Sequence, residues 1–245
     1  MATLPAVKTV SKGDEVAVLA NQTTFFGESG GQQGDAGVIK TENGAIIEIT
    51  DTQKKLGALH VHLGKVTEGE VKVGDAAEFR VDHSRRSSLR ANHSATHLLH
   101  KALRLVLGDH VQQKGSLVTP ERLRFDFSHF EAMSAEQLKE VERLVNQQVL
   151  ANAPTRIESM TLDEAKEKGA AALFEAKYAD SVRVLTIGAD DFSIELCGGT
   201  HVARSGDIGC CHIVAESGIA SGVRRIEAIT GEGALAYFGE QEARL

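Results

Sequence analysis

Four side chains in this sequence have the types and spacing that could do chemistry together. His93 and His97 stand four residues apart in HSATH (93–97), and Cys197 and His201 stand four apart in ELCGGTH (195–201). If the first pair lies on a helix, an i, i+4 spacing projects both imidazoles from one face, close enough to grip one ion. Each pair alone is a weak sign. With ten histidines in 245 residues, one such helical pair is unsurprising, and a reactive thiol with its base or an ordinary tight turn would also account for ELCGGTH. Together the pairs offer three nitrogens and a thiolate, a tetrahedral donor set of the kind zinc prefers. Gly198 and Gly199 would let the backbone fold back so that the thiolate and the following imidazole converge. The two pairs are distant in sequence, and spacing alone does not bring them together.

Two polar stretches accompany them. FFGESGGQQGDAG (25–37) is dense in glycine. It lacks the Lys-Ser/Thr of a P-loop and the strand-to-helix context of a dinucleotide fingerprint. It reads either as paired tight turns or as a loop that lets a ligand approach the backbone. VQQKGSLV (111–118) puts Gln112, Gln113 and Ser116 between a helix end and a strand, and reads as turn chemistry. Basic residues cluster at Arg85, Arg86 and Arg90, at Lys101 and Arg104, at Arg122 and Arg124, and at Arg224 and Arg225. Each cluster reads as a solvated face unless several surround a common pocket.

The elements that must position these groups change in texture near residue 85. Before it, EVAVLA (15–20), AGVIKT (36–41), GAIIEIT (44–50), ALHVHLGKV (58–66) and AAEFRVD (76–82) carry much period-two alternation between glycines, which predicts short strands in a small barrel or sandwich. Beyond it, helices and strands mix. An apolar stripe through Leu89, Ala95, Leu98, Leu99, Ala102, Leu103 and Val106 predicts a helix over 87–107, stopped by Gly108. RLRFDFSH (122–129) alternates as a strand. Ser134 with Gln137, and Thr161 with Glu164, form capping boxes that open two further helices, the first with a Met133–Leu138 staple and the second closed by Gly169. Strands are expected over 182–187, 192–196, 208–216 and 223–229, and a final helix over 232–245 with no stop signal, as though the chain were cut from something longer.

Composition narrows the partners. The net charge of -7 argues against wrapping a duplex by charge alone, though not against contact with a short single strand. Three cysteines, two of them adjacent (Cys210 and Cys211), make no disulfide framework. No apolar run reaches the roughly 18–20 residues a membrane span needs, and no leader is visible, so the expectation is a soluble, cytoplasmic protein without a membrane partner.

These separate signals occur in one order. HSATHLLHKALRLVLGDHVQQKGSLV, RLRFDFSH, ELCGGTHV, DIG and GVRRIEAITG together resemble the editing domain of alanyl-tRNA synthetases and its free-standing relatives, the AlaX-type trans-editing deacylases. FFGESGGQQGDAG looks like the glycine-rich motif of the barrel preceding that core. The resemblance implies an α+β protein: a small N-terminal β-barrel over 1–85, then a zinc-containing editing core over 86–245 with helices packed on a mainly antiparallel sheet. It implies Zn2+ held by His93, His97, Cys197 and His201, editing-pocket positions at Thr96, Gln113 and Ser116, and substrate contacts at Gly30 and Gly31. Arg224 and Arg225 would guide phosphates. The implied ligand is the 3' end of tRNA(Ala) wrongly charged with serine or glycine, and the implied reaction is hydrolysis of that ester. The activity would belong either to a free-standing deacylase or to a piece of an alanine-tRNA ligase whose other domains hold the tRNA body. Two other readings compete: a non-catalytic, zinc-stapled tRNA-binding module, and an editing domain for another amino acid of the threonyl type. The chain departs from the family pattern at Glu175 and Ala179, at a two-residue insertion in GADDFS (188–193), and at Cys210-Cys211.

Overall fold

A computed structural model describes residues 6–170 and 181–244. The stretch holding Glu175 and Ala179 lies outside the described residues. The backbone divides into two compact units: residues up to Ser29 with Gln33–Arg86, and Gly30–Gln32 with the chain from Ser87 onward.

Among the described residues the first unit carries seven strands: β1 (Thr9–Ser11), β2 (Glu15–Val18), β3 (Gly37–Thr41), β4 (Ile46–Lys55), β5 (Leu59–Glu68), β6 (Glu70–Lys72) and β7 (Ala77–Val81). Five of them pair antiparallel in the order β2-β5-β4-β3-β7, and β1 pairs with β6. That order has two ends, so among the described residues the pairings leave an open sheet and the expected closed barrel is not found. Alternation sorts the side chains. Ile47 and Ile49 of β4 point inward to Phe25, Ile39, Val66 and Val81, while Glu48 between them is exposed. The arginines expected on a solvated face are engaged instead. Arg86 forms an ion pair with buried Asp35, which also accepts from the Phe26 N–H at 2.6 Å. Arg85 donates to the Gly34 carbonyl at 2.7 Å.

The second unit is mixed. Helix α1 (His83–Leu107) is followed by β8 (Gln113–Val118), β9 (Leu123–Ser128), α2 (Ala135–Ala151), β10 (Arg156–Met160) and α3 (Leu162–Glu167). Then come β11 (Val182–Ile187), β12 (Ser193–Leu196), β13 (Cys211–Ala220), β14 (Val223–Thr230) and α4 (Gly231–Glu242). Two antiparallel sheets result, β13-β14-β9-β8 and β10-β11-β12. Both expected capping boxes form, Ser134 with Gln137 and Thr161 with Glu164. Each satisfies two backbone donors that a helix start would otherwise leave unpaired. Helix α1 starts earlier than its apolar stripe suggests, because the Asp82 carboxylate accepts from the Arg85 N–H at 2.9 Å and caps it. VQQKGSLV is not turn chemistry: from Gln113 onward it is an edge strand paired with β9. The two aspartates of GADDFS form a tight turn between β11 and β12 with positive φ at both Asp190 and Asp191.

The main core gathers Leu98, Leu99 and Leu103 of α1, Val141 and Val145 of α2, Phe125 and Phe127 of β9, Leu185 and Ile187 of β11, and Ile226 of β14. Cys211 belongs to it too; burial pushes its thiol up to about 12, so it packs as a small apolar residue. Helix α1 is unusual because residues 91–100 are buried all round, although Asn92, His93, Ser94, Thr96, His97 and His100 are polar. Each of these must find a partner or cost free energy. Asn92 shows how: it donates to the Thr119 carbonyl at 2.8 Å and accepts from the Thr230 hydroxyl at 2.7 Å.

Candidate metal centre

The polar face of α1 meets the turn after β12. His93, His97, Cys197 and His201 bring one donor atom each to within 4.8 Å of one another. The Cys197 Sγ lies 3.2 Å from His201 Nε2 and 3.5 Å from His93 Nε2. The four residues that the sequence marks in two distant pairs therefore converge, and as a set they could hold a metal ion.

The surroundings of the rings carry further information. Each imidazole uses Nδ1 for a protein partner: His93 to Gln32 Oε1 at 2.7 Å, His97 to Glu195 Oε2 at 2.5 Å, and His201 to Ser94 Oγ at 3.2 Å. That leaves every Nε2 for the common centre. His97 Nε2 is buried with no hydrogen-bond partner at all. An orphaned imidazole nitrogen in a buried site calls for an explanation, and a cation supplies one. Metal-bound histidines characteristically donate their second N–H to a carboxylate, carbonyl or similar acceptor, which fixes ring and tautomer.

Electrostatics favour the thiolate. Burial pushes the Cys197 thiol up, but the neighbouring His97, His93 and His201 rings outweigh it, holding it well below its ordinary value. Burial likewise opposes charge on Glu195, yet His97 and His100 hold its carboxyl low. Glu195 shares its two oxygens between His97 and His100, the latter at 2.8 Å. This carboxylate carries little signal in the sequence. Its position, two residues before Cys197 on an alternating strand, was the only available hint.

The turn itself is built by contacts rather than by special backbone angles. Neither Gly198 nor Gly199 has positive φ, so the freedom expected of them is not what places them there. Gly198 faces open space, whereas a Cβ on Gly199 would sit 2.1 Å from the His93 ring. Only glycine lets the imidazole lie against the turn. Arg183 of β11 then fastens it by donating to the Cys197 and Gly199 carbonyls at 2.8 and 2.7 Å.

The other expected site residues fall as follows. Thr96 is buried on α1 and donates its hydroxyl to the Asn92 carbonyl at 2.8 Å. Gln113 and Ser116 are half-buried on β8, paired with Phe127 and Phe125 of β9. Gly31 packs on Ser116 so closely that a Cβ would come within 2.6 Å of its carbonyl oxygen, and its φ is +88°. Gly30 also has positive φ and open space beside it. Arg225 is bound by Asp126 through two hydrogen bonds of 2.7 and 2.9 Å, and Arg224 by Glu216 at 2.5 and 2.7 Å. Both guanidiniums are thus committed to their own sheet.

Two known families match parts of the chain. Residues 2–85 match the family described as tRNA synthetases class II (A), and residues 182–227 match the threonyl and alanyl tRNA synthetase second additional domain. The alanine-tRNA ligase of Chromohalobacter salexigens is 67% identical over 240 residues, covering 98% of this chain and 27% of its own length. That of Mesorhizobium japonicum is 57% identical over 247 residues, with 98% and 28% covered. That of Parvibaculum lavamentivorans is 55% identical over 242 residues, with 96% and 27% covered. The chain belongs to the alanyl-tRNA synthetase family. It spans 27% of the length of the first of these relatives. No helix among the described residues is long and apolar enough to cross a membrane.

Proposed function

We propose that this chain edits mischarged tRNA(Ala), hydrolysing the ester that links serine or glycine to the 3' end. The observation that carries the reading is the convergence of His93, His97, Cys197 and His201 in a chain whose relatives are alanine-tRNA ligases. The identity to those enzymes favours an alanyl over a threonyl substrate. The need is physical: a synthetic pocket shaped for alanine rejects serine, which adds only a hydroxyl, by roughly a hundredfold. A second site that recognises the hydroxyl itself removes the seryl error; the glycyl ester has no hydroxyl and is not selected by that contact.

The three imidazoles and the thiolate suit Zn2+. When bound, it would supply a fixed positive centre that orients the ester and holds α1 against the turn after β12; four protein donors mark a structural rather than an open site. The rest falls to the chain. The Thr96 hydroxyl spends its proton on Asn92, so towards a ligand Thr96 can only accept. It therefore suits the O–H of a seryl group, and an alanyl ester would leave it unpaired at a cost of about 1–3 kcal/mol. Gln113 and Ser116, on the neighbouring strand, are the further polar contacts, with Gly30 and Gly31 allowing the backbone close approach. The terminal nucleotides are single-stranded, so an acidic chain suffices to hold them by shape and stacking. The tRNA body would be held by other parts of the ligase, in the cytoplasm where translation runs. On this reading the chain divides by role into 1–85, an N-terminal β unit carrying the glycine-rich motif, and 86–245, the editing core.

The test is deacylation of Ser-, Gly- and Ala-tRNA(Ala) by the purified chain, with metal content measured on the same sample. The expected result is stripping of the seryl and glycyl esters while the alanyl ester survives. Equal rates on all three would reject the specificity, and tRNA binding without cleavage would favour the non-catalytic module.

A further inference from the structure

One residue of the glycine-rich stretch is buried more completely than any ligand in the cluster. Gln32 has no exposed surface, and its side-chain amide makes three hydrogen bonds. Its Oε1 accepts the backbone N–H of Thr200 at 2.9 Å and faces His93 Nδ1 at 2.7 Å. Its Nε2 donates to the Thr200 hydroxyl at 2.8 Å. The backbone N–H of Thr200 can only donate, so the atom facing it is the amide oxygen. His93 Nδ1 meets the same oxygen and must carry a proton. The lone pair of His93 then sits on Nε2, the nitrogen that faces Cys197.

The Gln32 backbone is held as well. It bridges to Val118 in parallel register, and the Val118 N–H donates to the Gly31 carbonyl at 2.7 Å. The amide is thus fixed at both ends. On one side it touches the first imidazole of the donor set, and on the other the turn that carries the thiolate and the last imidazole. Gly199, whose missing Cβ would also lie 2.8 Å from Gln32 Oε1, leaves room for this arrangement.

We infer that Gln32 is a positioning residue for the metal centre: it sets the tautomer and orientation of His93 and clamps the Cys197–His201 turn onto α1. This rests on the metal reading above but not on the identity of the tRNA ester. An outer acceptor of this kind is worth roughly 10–100-fold in metal affinity when removed.

The experiment compares Zn2+ affinity, by competition with a chelating dye, in the unaltered chain and in the Gln32→Met and Gln32→Glu variants. Methionine keeps the volume and removes every hydrogen bond. Glutamate keeps an acceptor for His93 and for the Thr200 N–H. The expected result is a roughly 10–100-fold loss in Gln32→Met and recovery in Gln32→Glu. The ring 15N spectrum of His93 should show a protonated Nδ1 in the unaltered chain and in Gln32→Glu, and exchange between tautomers in Gln32→Met. Unchanged affinity in Gln32→Met, or equal loss in both variants, overturns the inference while leaving the metal centre standing. Should Gln32→Met not fold, the His93 spectrum of Gln32→Glu decides: a ring unprotonated at Nδ1 overturns it. An unaltered chain that binds no Zn2+ overturns the metal reading and this inference with it.

Discussion

Among the described residues two groups of stacked histidines occur, and ring spacing does not distinguish them. His93 and His97 have centroids 5.1 Å apart, and His110 and His129 have centroids 5.2 Å apart. Their surroundings differ. In the first group each Nδ1 turns outward to an amide, a carboxylate or a hydroxyl, and the Nε2 atoms face a thiol. In the second, His110 Nε2 and His129 Nδ1 face each other at 2.9 Å, with exposed Phe130 stacked on His110. Burial followed by the charge of His110 lowers the His129 pKa, and the two rings spend their facing nitrogens on each other rather than on a common centre. Among the described residues only the first group assembles three or more possible ligands. A metal centre is thus marked by what stands behind the imidazoles, more than by how near they come to one another.

Three substitutions test that contrast. Replacing the thiolate, Cys197→Ala, removes a donor outright. Zn2+ binding should weaken by more than the roughly 10–100-fold that a lost outer partner costs, with a clear drop in thermal midpoint; a variant that retains stoichiometric metal after dialysis would mean the cluster is not the binding site. Glu195→Gln leaves every donor in place and changes only what stands behind His97 and His100. Affinity should fall within that 10–100-fold range, and the metal-free chain should lose about 1–3 kcal/mol, measured by urea unfolding, for each ring left unsatisfied. No loss of affinity would make the outer partners incidental. His110→Ala, in the second group, should leave Zn2+ affinity unchanged and cost only about 1 kcal/mol, for the hydrogen bond that buried His129 loses. A weakened metal site there would erase the distinction between the groups.

Much of the fold was legible because local chemistry sets it. The Ser134 and Thr161 boxes announce their helices within four residues, and the alternation in RLRFDFSH follows from a strand with one face on the core. Short elements that depend on partners were not legible. Strand β10, RIESM, is almost wholly exposed and shows no apolar alternation; pairing with β11 makes it a strand. Strand β8 hides for a related reason: its polar Gln113 and Ser116 read as turn residues until β9 is beside them. The donor set could be read from residue type and spacing. Its supports could not. Gln32 stands 61 residues from His93, and Ser94 stands 107 from His201, distances over which one sequence carries no contact signal. Glycine was legible as a sign of unusual backbone but not of its cause: at Gly199 the cause is an imidazole ring, not a dihedral angle.

The wide separation of the donors has a consequence for the order in which the protein is made. Cys197 leaves the ribosome 104 residues after His93, roughly 5–20 s later at ordinary rates of elongation. Throughout that interval the segment bearing the first two imidazoles is without the carboxylate, arginine-bound turn and sulfur that later satisfy it. The centre can close only once the chain has doubled back on a segment translated long before, which makes its completion a late step in folding.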